Sequence, residues 1–196
     1  MAKFFGNLNL VLAVGVVLAL AVMFGLDKES FVGGPACIKQ TFVWLHVFFG
    51  ILWIGLLYYL NFVQVPTMPK IPAEQKGAIT GHIAPKVFYY FRYAALFTVI
   101  TGLIVAWNGG FLVSALTMSG AGKVNLIGLG MWLALIMAFN VWFIIWPAQK
   151  KILGIIEATA EEKAAAAPRA LIASRTNTLL SFAMIYAMVS ANAVLG

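Results

Sequence analysis

Few side chains in this sequence could bind a metal, carry a proton or attack a substrate. It holds two histidines, one cysteine and six acidic residues in 196 positions. A lone Cys37 excludes an internal disulfide and a Cys-x-x-Cys-His haem attachment. There is no P-loop and no zinc-like Cys/His spacing. The chemistry therefore centres on His46, within the apolar run TFVWLHVFFGILWIGLLYYLNFVQVP of residues 41–66. At about 100° per residue, His46, Gly50, Trp53, Leu57, Asn61 and Gln64 lie along one stripe of a helix. An ionisable group inside a spanning helix is a candidate functional site.

Neutral imidazole is a good iron ligand, and Gly50, one turn away, would leave room for a flat macrocycle, so a b-type haem is one reading. Trp44, Phe48, Phe49 and Trp53 would supply its apolar walls, and Met188 or Met131 a second ligand; five-coordinate iron is the other option. The competing reading makes His46 a packing residue, hydrogen-bonded to a backbone carbonyl or to Asn192. His82 falls in a polar connector, at the opposite end from His46, and reads as an interfacial residue, with a quinone-site role as the alternative.

A second set of polar residues, Asn61, Gln64, Arg92, Asn140, Arg175 and Asn177, is expected at the other end of the same helices. Amides there can tie helices together, and the arginines can reach the membrane surface along their aliphatic stems. A functional alternative for the arginines is a site for an anion or a haem propionate.

The elements that must position these residues are membrane helices. The chain is 63% hydrophobic and 10% charged, more apolar surface than a soluble domain of this length can hide. The expectation is an all-α bundle with five spans, near 8–26, 41–63, 85–107, 124–146 and 171–195, in one integral-membrane domain over 1–196. The first segment, with no strongly polar residue from Val11 to Gly25, is read as a helix at the bundle's edge. Residues 66–86 hold four prolines and two glycines, and read as an ordered connector with a short interfacial helix from Pro72. The fourth span is expected to stop at Pro147, and residues 148–170 to form a polar helix on the membrane surface.

The formal charge of +7 does not mark a nucleic-acid binder, because the basic residues sit between apolar segments. Ten Lys and Arg fall on the side of the N-terminus and three (Lys28, Lys39 and Lys123) on the other. By the positive-inside rule the N-terminus is cytoplasmic and the C-terminus outside, in a plasma (bacterial inner) membrane.

Several runs together resemble the membrane domain of PuuD-type urate hydroxylases, the bacterial urate oxidases built on a helical membrane domain. They are Trp44-Leu45-His46, Trp53-Ile54-Gly55, Tyr58 to Gln64, Phe91-Arg92-Tyr93, Thr101-Gly102-Leu103, Asn140 to Pro147 and Ser174 to Thr178. The resemblance spans roughly Thr41 to Asn192 and implies an oxidase-like membrane unit that passes electrons to a cytochrome c. The chain departs from that pattern in lacking the family's cytochrome c domain, and in ending its last helix Ser190-Ala191-Asn192 where a further histidine would be looked for. It reads as a shortened relative served by a separate cytochrome, whose urate-dependent electron transfer is absent or needs another subunit. The alternative is a non-catalytic accessory subunit of a larger membrane complex; a transporter is weaker, because no span carries Asp or Glu.

Overall fold

A computed structural model describes residues 2–26 and 35–195, the side chains of 35, 36 and 192–195 excepted. The regular structure among them is entirely helical. Four segments are long and apolar enough to cross a membrane: Leu8–Leu26, Cys37–Lys70, Ala73–Asn108 and Lys123–Ile152. The chain is accordingly a membrane protein.

Helix α1 (Leu8–Leu26) has no buried residue, consistent with a place at the edge. Helix α2 (Pro35–Tyr58) packs along α3 (Ala84–Asn108), and α5 (Lys123–Phe139) packs along α6 (Ala160–Leu195). The short α4 (Leu112–Leu116) lies against α5. Buried alanines, among them Ala94, Ala95, Ala134 and Ala173, mix with Trp53, Leu57, Phe91 and Met137 in the main core. Lipid is as apolar as leucine, so contact between spanning helices depends on close packing, which small residues permit. Outward residues such as Ile51, Phe143 and Val189 are exposed, as a lipid-facing surface requires.

Three boundaries differ from those read off the sequence, and proline is the reason. The chain stays helical through Pro66, Pro85 and Pro147. Each is preceded by a π-helical segment that ends two residues before it: Tyr59–Gln64, Ile79–Ile83 and Asn140–Ile145. A proline in a helix removes one N–H and crowds the carbonyl four residues back, and a local π turn relieves that crowding within an apolar medium. The expected connector at 66–86 is therefore mostly a continuation of its two neighbouring spans. Its short helix does begin after Pro72, as Ala73–Ala78, but it runs on into α3. The fourth span likewise passes Pro147 and ends at Ile152.

The polar helix expected at 148–170 is divided between two elements. Gly154, at a φ of 69°, closes the helix that ends at Ile152. Thr159 then opens α6 with a capping box: the Glu162 amide donates to Thr159 Oγ1 at 3.2 Å and the Thr159 amide to Glu162 Oε2 at 3.0 Å. Lys151 donates to Glu162 Oε1 at 2.8 Å. These donors hold the exposed Glu162 carboxyl below its usual range, led by the bond from Lys151. Helix α6 runs 36 residues without a break, about 54 Å at 1.5 Å per residue, so it is far longer than a hydrocarbon core of about 30 Å.

Candidate functional site

His46 projects from α2 onto α3. Its Nδ1 lies 2.9 Å from the carbonyl oxygen of Thr98 and 3.4 Å from Thr101 Oγ1. The threonine hydroxyls are engaged by their own helix, Thr98 with the Ala94 carbonyl at 2.7 Å and Thr101 with that of Phe97 at 2.6 Å. A carbonyl only accepts, so Nδ1 carries the proton and donates it there. That leaves Nε2 with its lone pair, the tautomer a metal-binding histidine requires. The backbone bond expected of a packing histidine is thus present, and it occupies one ring nitrogen only.

Gly102 makes this approach possible. A Cβ built on it would stand 2.7 Å from His46 Cε1 and 3.0 Å from Nδ1, distances real side chains do not tolerate. Gly50 is different: a Cβ there would meet only Thr98 Cγ2, at 4.0 Å. The imidazole therefore rests on a notch in α3, one turn beyond the carbonyl that holds it.

Three cavities meet at His46. A narrow one of about 30 Å³ lies between it, Gly102, Met131 and Met188. A groove of about 350 Å³ continues past Val43, Ala106, Phe111 and Ile127, again with Met131 and Met188 in its wall. A second groove, of about 400 Å³, runs the other way past Gly50, Trp53, Gly55, Tyr58 and Met184. The five residues expected around the metal, His46, Gly50, Trp53, Met131 and Met188, each line at least one of these three cavities. The flanking aromatics do not: Trp44 and Phe48 are exposed, and Phe49 stacks on Phe97 at 5.0 Å. Trp53 is fully buried, and its indole N–H has no acceptor among the described residues. Lys123, whose Nζ donates to the Ser190 carbonyl at 2.6 Å, sits one turn from Ile127. The Asn192 side chain, a possible partner of His46 in the sequence, lies outside the described residues.

The second polar group sits at the proline end of the bundle. Asn61 Nδ2 donates to the Leu57 carbonyl at 2.9 Å and to Ser174 Oγ at 2.8 Å. Asn140 Nδ2 donates to Asn177 Oδ1 at 2.8 Å, and Asn177 Nδ2 to the Met137 carbonyl at 2.9 Å. Tyr58 meets Ser181 Oγ at 2.9 Å, while that hydroxyl donates to the Thr178 carbonyl at 2.7 Å. Gln64 Oε1 is buried without a donor. Arg92 stands apart from these amides: its guanidinium lies 3.7 Å from the centre of the Trp146 ring and 5.2 Å from that of Tyr93. Arg175 is exposed on α6 and joins no cluster, and His82 is exposed and lines none of these cavities. Among the described residues no group of three or more His, Cys, Asp or Glu could hold a metal. A single-histidine ligand of a macrocycle needs no such group.

The fold and this site define a membrane helical bundle with one half-buried histidine, hydrogen-bonded through Nδ1, at the junction of apolar grooves. The chain belongs to the urate oxidase N-terminal family, whose pattern it matches over residues 88–195. That stretch contains Thr98, Gly102, Met131 and Met188, and it begins after His46 and the rest of α2. Neither a curated protein nor a solved structure matches the chain. Sequence reasoning assigned no role to Thr98 or Gly102. The available signal was Thr101-Gly102, a glycine in mid-span.

Proposed function

We propose that this chain is the membrane redox unit of a urate oxidase-type system, holding a b-type haem through His46 Nε2 and passing electrons to a separate cytochrome c. The observation that carries this reading is the 2.9 Å bond from His46 Nδ1 to Thr98, which leaves Nε2 free in an apolar space it shares with Met131 and Met188. A haem bound there would supply one-electron chemistry. The residues' part is to present a neutral imidazole, exclude water with aliphatic walls and offer a thioether as second ligand. Lys123, one turn from Ile127 in the wall of the groove of about 350 Å³ and bonded to the Ser190 carbonyl, is a cation near that end for a haem carboxylate.

An absorption spectrum of the purified chain, air-oxidised and then dithionite-reduced, tests the proposal. A Soret band that shifts on reduction and disappears in His46→Ala is the expected result; a colourless, well-folded protein refutes it and leaves the accessory-subunit reading. That second reading is favoured by α1, a 19-residue apolar helix without one buried residue.

We further propose five spans, with α6 as the fifth, in a bacterial inner membrane, the N-terminus cytoplasmic. The ten-to-three bias of Lys and Arg supports this orientation. A reporter that is active only in the cytoplasm, fused after Gly196, should be silent; activity would reverse the topology.

A further inference from the structure

Arg92 places a guanidinium well inside a spanning helix without a counter-ion. No Asp or Glu occurs between residues 75 and 156, and among the described residues Arg92 makes no ion pair. Aromatic rings surround the cation instead. Its Cζ lies 3.7 Å from the ring centre of Trp146, 5.2 Å from that of Tyr93, 5.6 Å from Tyr89 and 6.0 Å from Trp142. Rings attract a cation by their faces but bring no negative charge to balance it. Nε and Nη1 are buried with no acceptor among the described residues. Nη2 is neither bonded nor buried there, so the cation opens to its surroundings through that nitrogen.

An apolar groove of about 380 Å³ begins beside it. Leu96 and Val99 of α3, one and two turns beyond Arg92, form one side; Leu135 and Phe139 of α5, with Trp142 just after it, form the other. Trp142 belongs to both features. It lines the groove, stands by the guanidinium, and donates its indole N–H to the Arg92 carbonyl at 3.1 Å. Phe139 and Phe143 in the same wall are exposed, so the groove faces lipid rather than the bundle interior. The depth agrees. Arg92 lies about 24 Å from Asn108, where α3 ends, so a hydrocarbon core of about 30 Å has its other boundary roughly one turn beyond Arg92. An arginine at that depth reaches the headgroup layer, while the groove runs about 10 Å from it toward the middle of the bilayer.

We propose that this is a site for an anionic phospholipid, with a phosphate oxygen accepting from Arg92 Nη2 and one acyl chain in the groove between α3 and α5. The charge decides the occupant. An apolar partner helix would fill the groove and leave the cation uncompensated, whereas a soluble anion would neutralise the cation and leave the groove empty. Arg92 lines none of the cavities at His46, so the site stands apart from the proposed haem.

The test is native mass spectrometry of the full chain in detergent micelles, titrated in turn with phosphatidylglycerol, phosphatidylcholine and diacylglycerol of the same acyl chains. Phosphatidylglycerol should bind saturably at one site. Diacylglycerol, which lacks the phosphate, should bind about tenfold or more weakly, the effect of one lost charge-assisted hydrogen bond. Phosphatidylcholine, which brings its own cation, should also bind more weakly. Arg92→Gln should bring phosphatidylglycerol down to the level of diacylglycerol. Leu96→Trp, which fills the groove and keeps the cation, should weaken all three lipids. A thermal melt without lipid checks both variants; if Leu96→Trp does not fold, Arg92→Gln, which only removes a charge from an apolar medium, decides the matter alone. His46→Ala should change none of this, so the outcome is separate from the haem proposal. Equal binding of the three lipids, unaltered phosphatidylglycerol binding in Arg92→Gln, displacement of the lipid by equimolar inorganic phosphate, or no saturable binding overturns the inference.

Discussion

If His46 holds a haem as proposed, Gly102→Ala should remove most of it while leaving the bundle folded. The new methyl would stand 2.7 Å from His46 Cε1, and the obstacle is a ring, which has no flexible end to swing away. The ring must move off α3, and its 2.9 Å bond to the Thr98 carbonyl goes with it. Two consequences follow. Overpacking of this kind costs about 1–3 kcal/mol of stability, which a marginally stable helix pair can survive. Loss of the orienting partner of a ligating histidine lowers affinity by about 10–100-fold. The measurement is the haem-to-protein ratio from the Soret band after reconstitution, alongside a thermal melt. Gly50→Ala is the control, because its Cβ reaches nothing nearer than 4.0 Å in the chain. If it nonetheless lowers haem content, the macrocycle lies in the groove that Gly50 lines and the other does not share. Full occupancy in Gly102→Ala would mean that the ligand is not His46 in this orientation.

The contrast between these two glycines marks how far the sequence alone reaches. The stripe from His46 to Gln64 was legible, since helical periodicity fixes which residues of α2 share a face; Trp53, Leu57 and Asn61 are indeed its buried members. What lies opposite that face was not legible, because pairing of α2 with α3 is a tertiary fact. Gly50 was singled out for room against the helix, but the room the imidazole needs is on the partner helix, at Gly102. The prolines misled in the other direction. Each reads as a helix boundary in water-soluble proteins, where a broken helix can bond to water. In lipid the backbone groups must find partners within the protein, so the helix continues and widens instead. Pro66, Pro85 and Pro147 thus shape the end of the bundle that their positions alone suggested was connector and terminus. The polar stretch after Pro147 was read as one surface helix, but its first residues extend the fourth span to Ile152 and its break falls at Gly154, where φ is positive.

Asn177→Leu should be the most destabilising single change at the proline end, and the reason ties the amides to those same π turns. Asn177 is fully buried. Its Nδ2 donates at 2.9 Å to the carbonyl of Met137, just before the π-helical segment at Asn140–Ile145, and its Oδ1 accepts from Asn140 at 2.8 Å. Asn61 does the corresponding work in α2, donating at 2.9 Å to the Leu57 carbonyl just before Tyr59–Gln64. In both places an amide serves a carbonyl next to the widened turn, where helical bonding is disturbed. Leucine would fill the space, strand the side-chain amide of Asn140 and leave the Met137 carbonyl with the backbone N–H of Asn140 alone. An average interhelical bond in a membrane contributes only about 0.6 kcal/mol, because the separated helices find other partners. Here one buried amide is stranded, at about 1–3 kcal/mol, and a second interhelical bond is lost with it, so the loss should exceed that average. Unfolding of the chain in mixed micelles by a denaturing detergent measures it. Thr178→Val offers the comparison: that hydroxyl donates to the Ser174 carbonyl within its own helix at 3.1 Å and should cost less. The double variant Asn140→Leu/Asn177→Leu should recover part of the loss, since it removes the stranded amide, while the Met137 carbonyl keeps its bond from the backbone N–H of residue 140. Equal stability of Asn177→Leu and the unchanged chain would show that the π turn satisfies its own carbonyls, and that the amides at this end serve something other than the backbone.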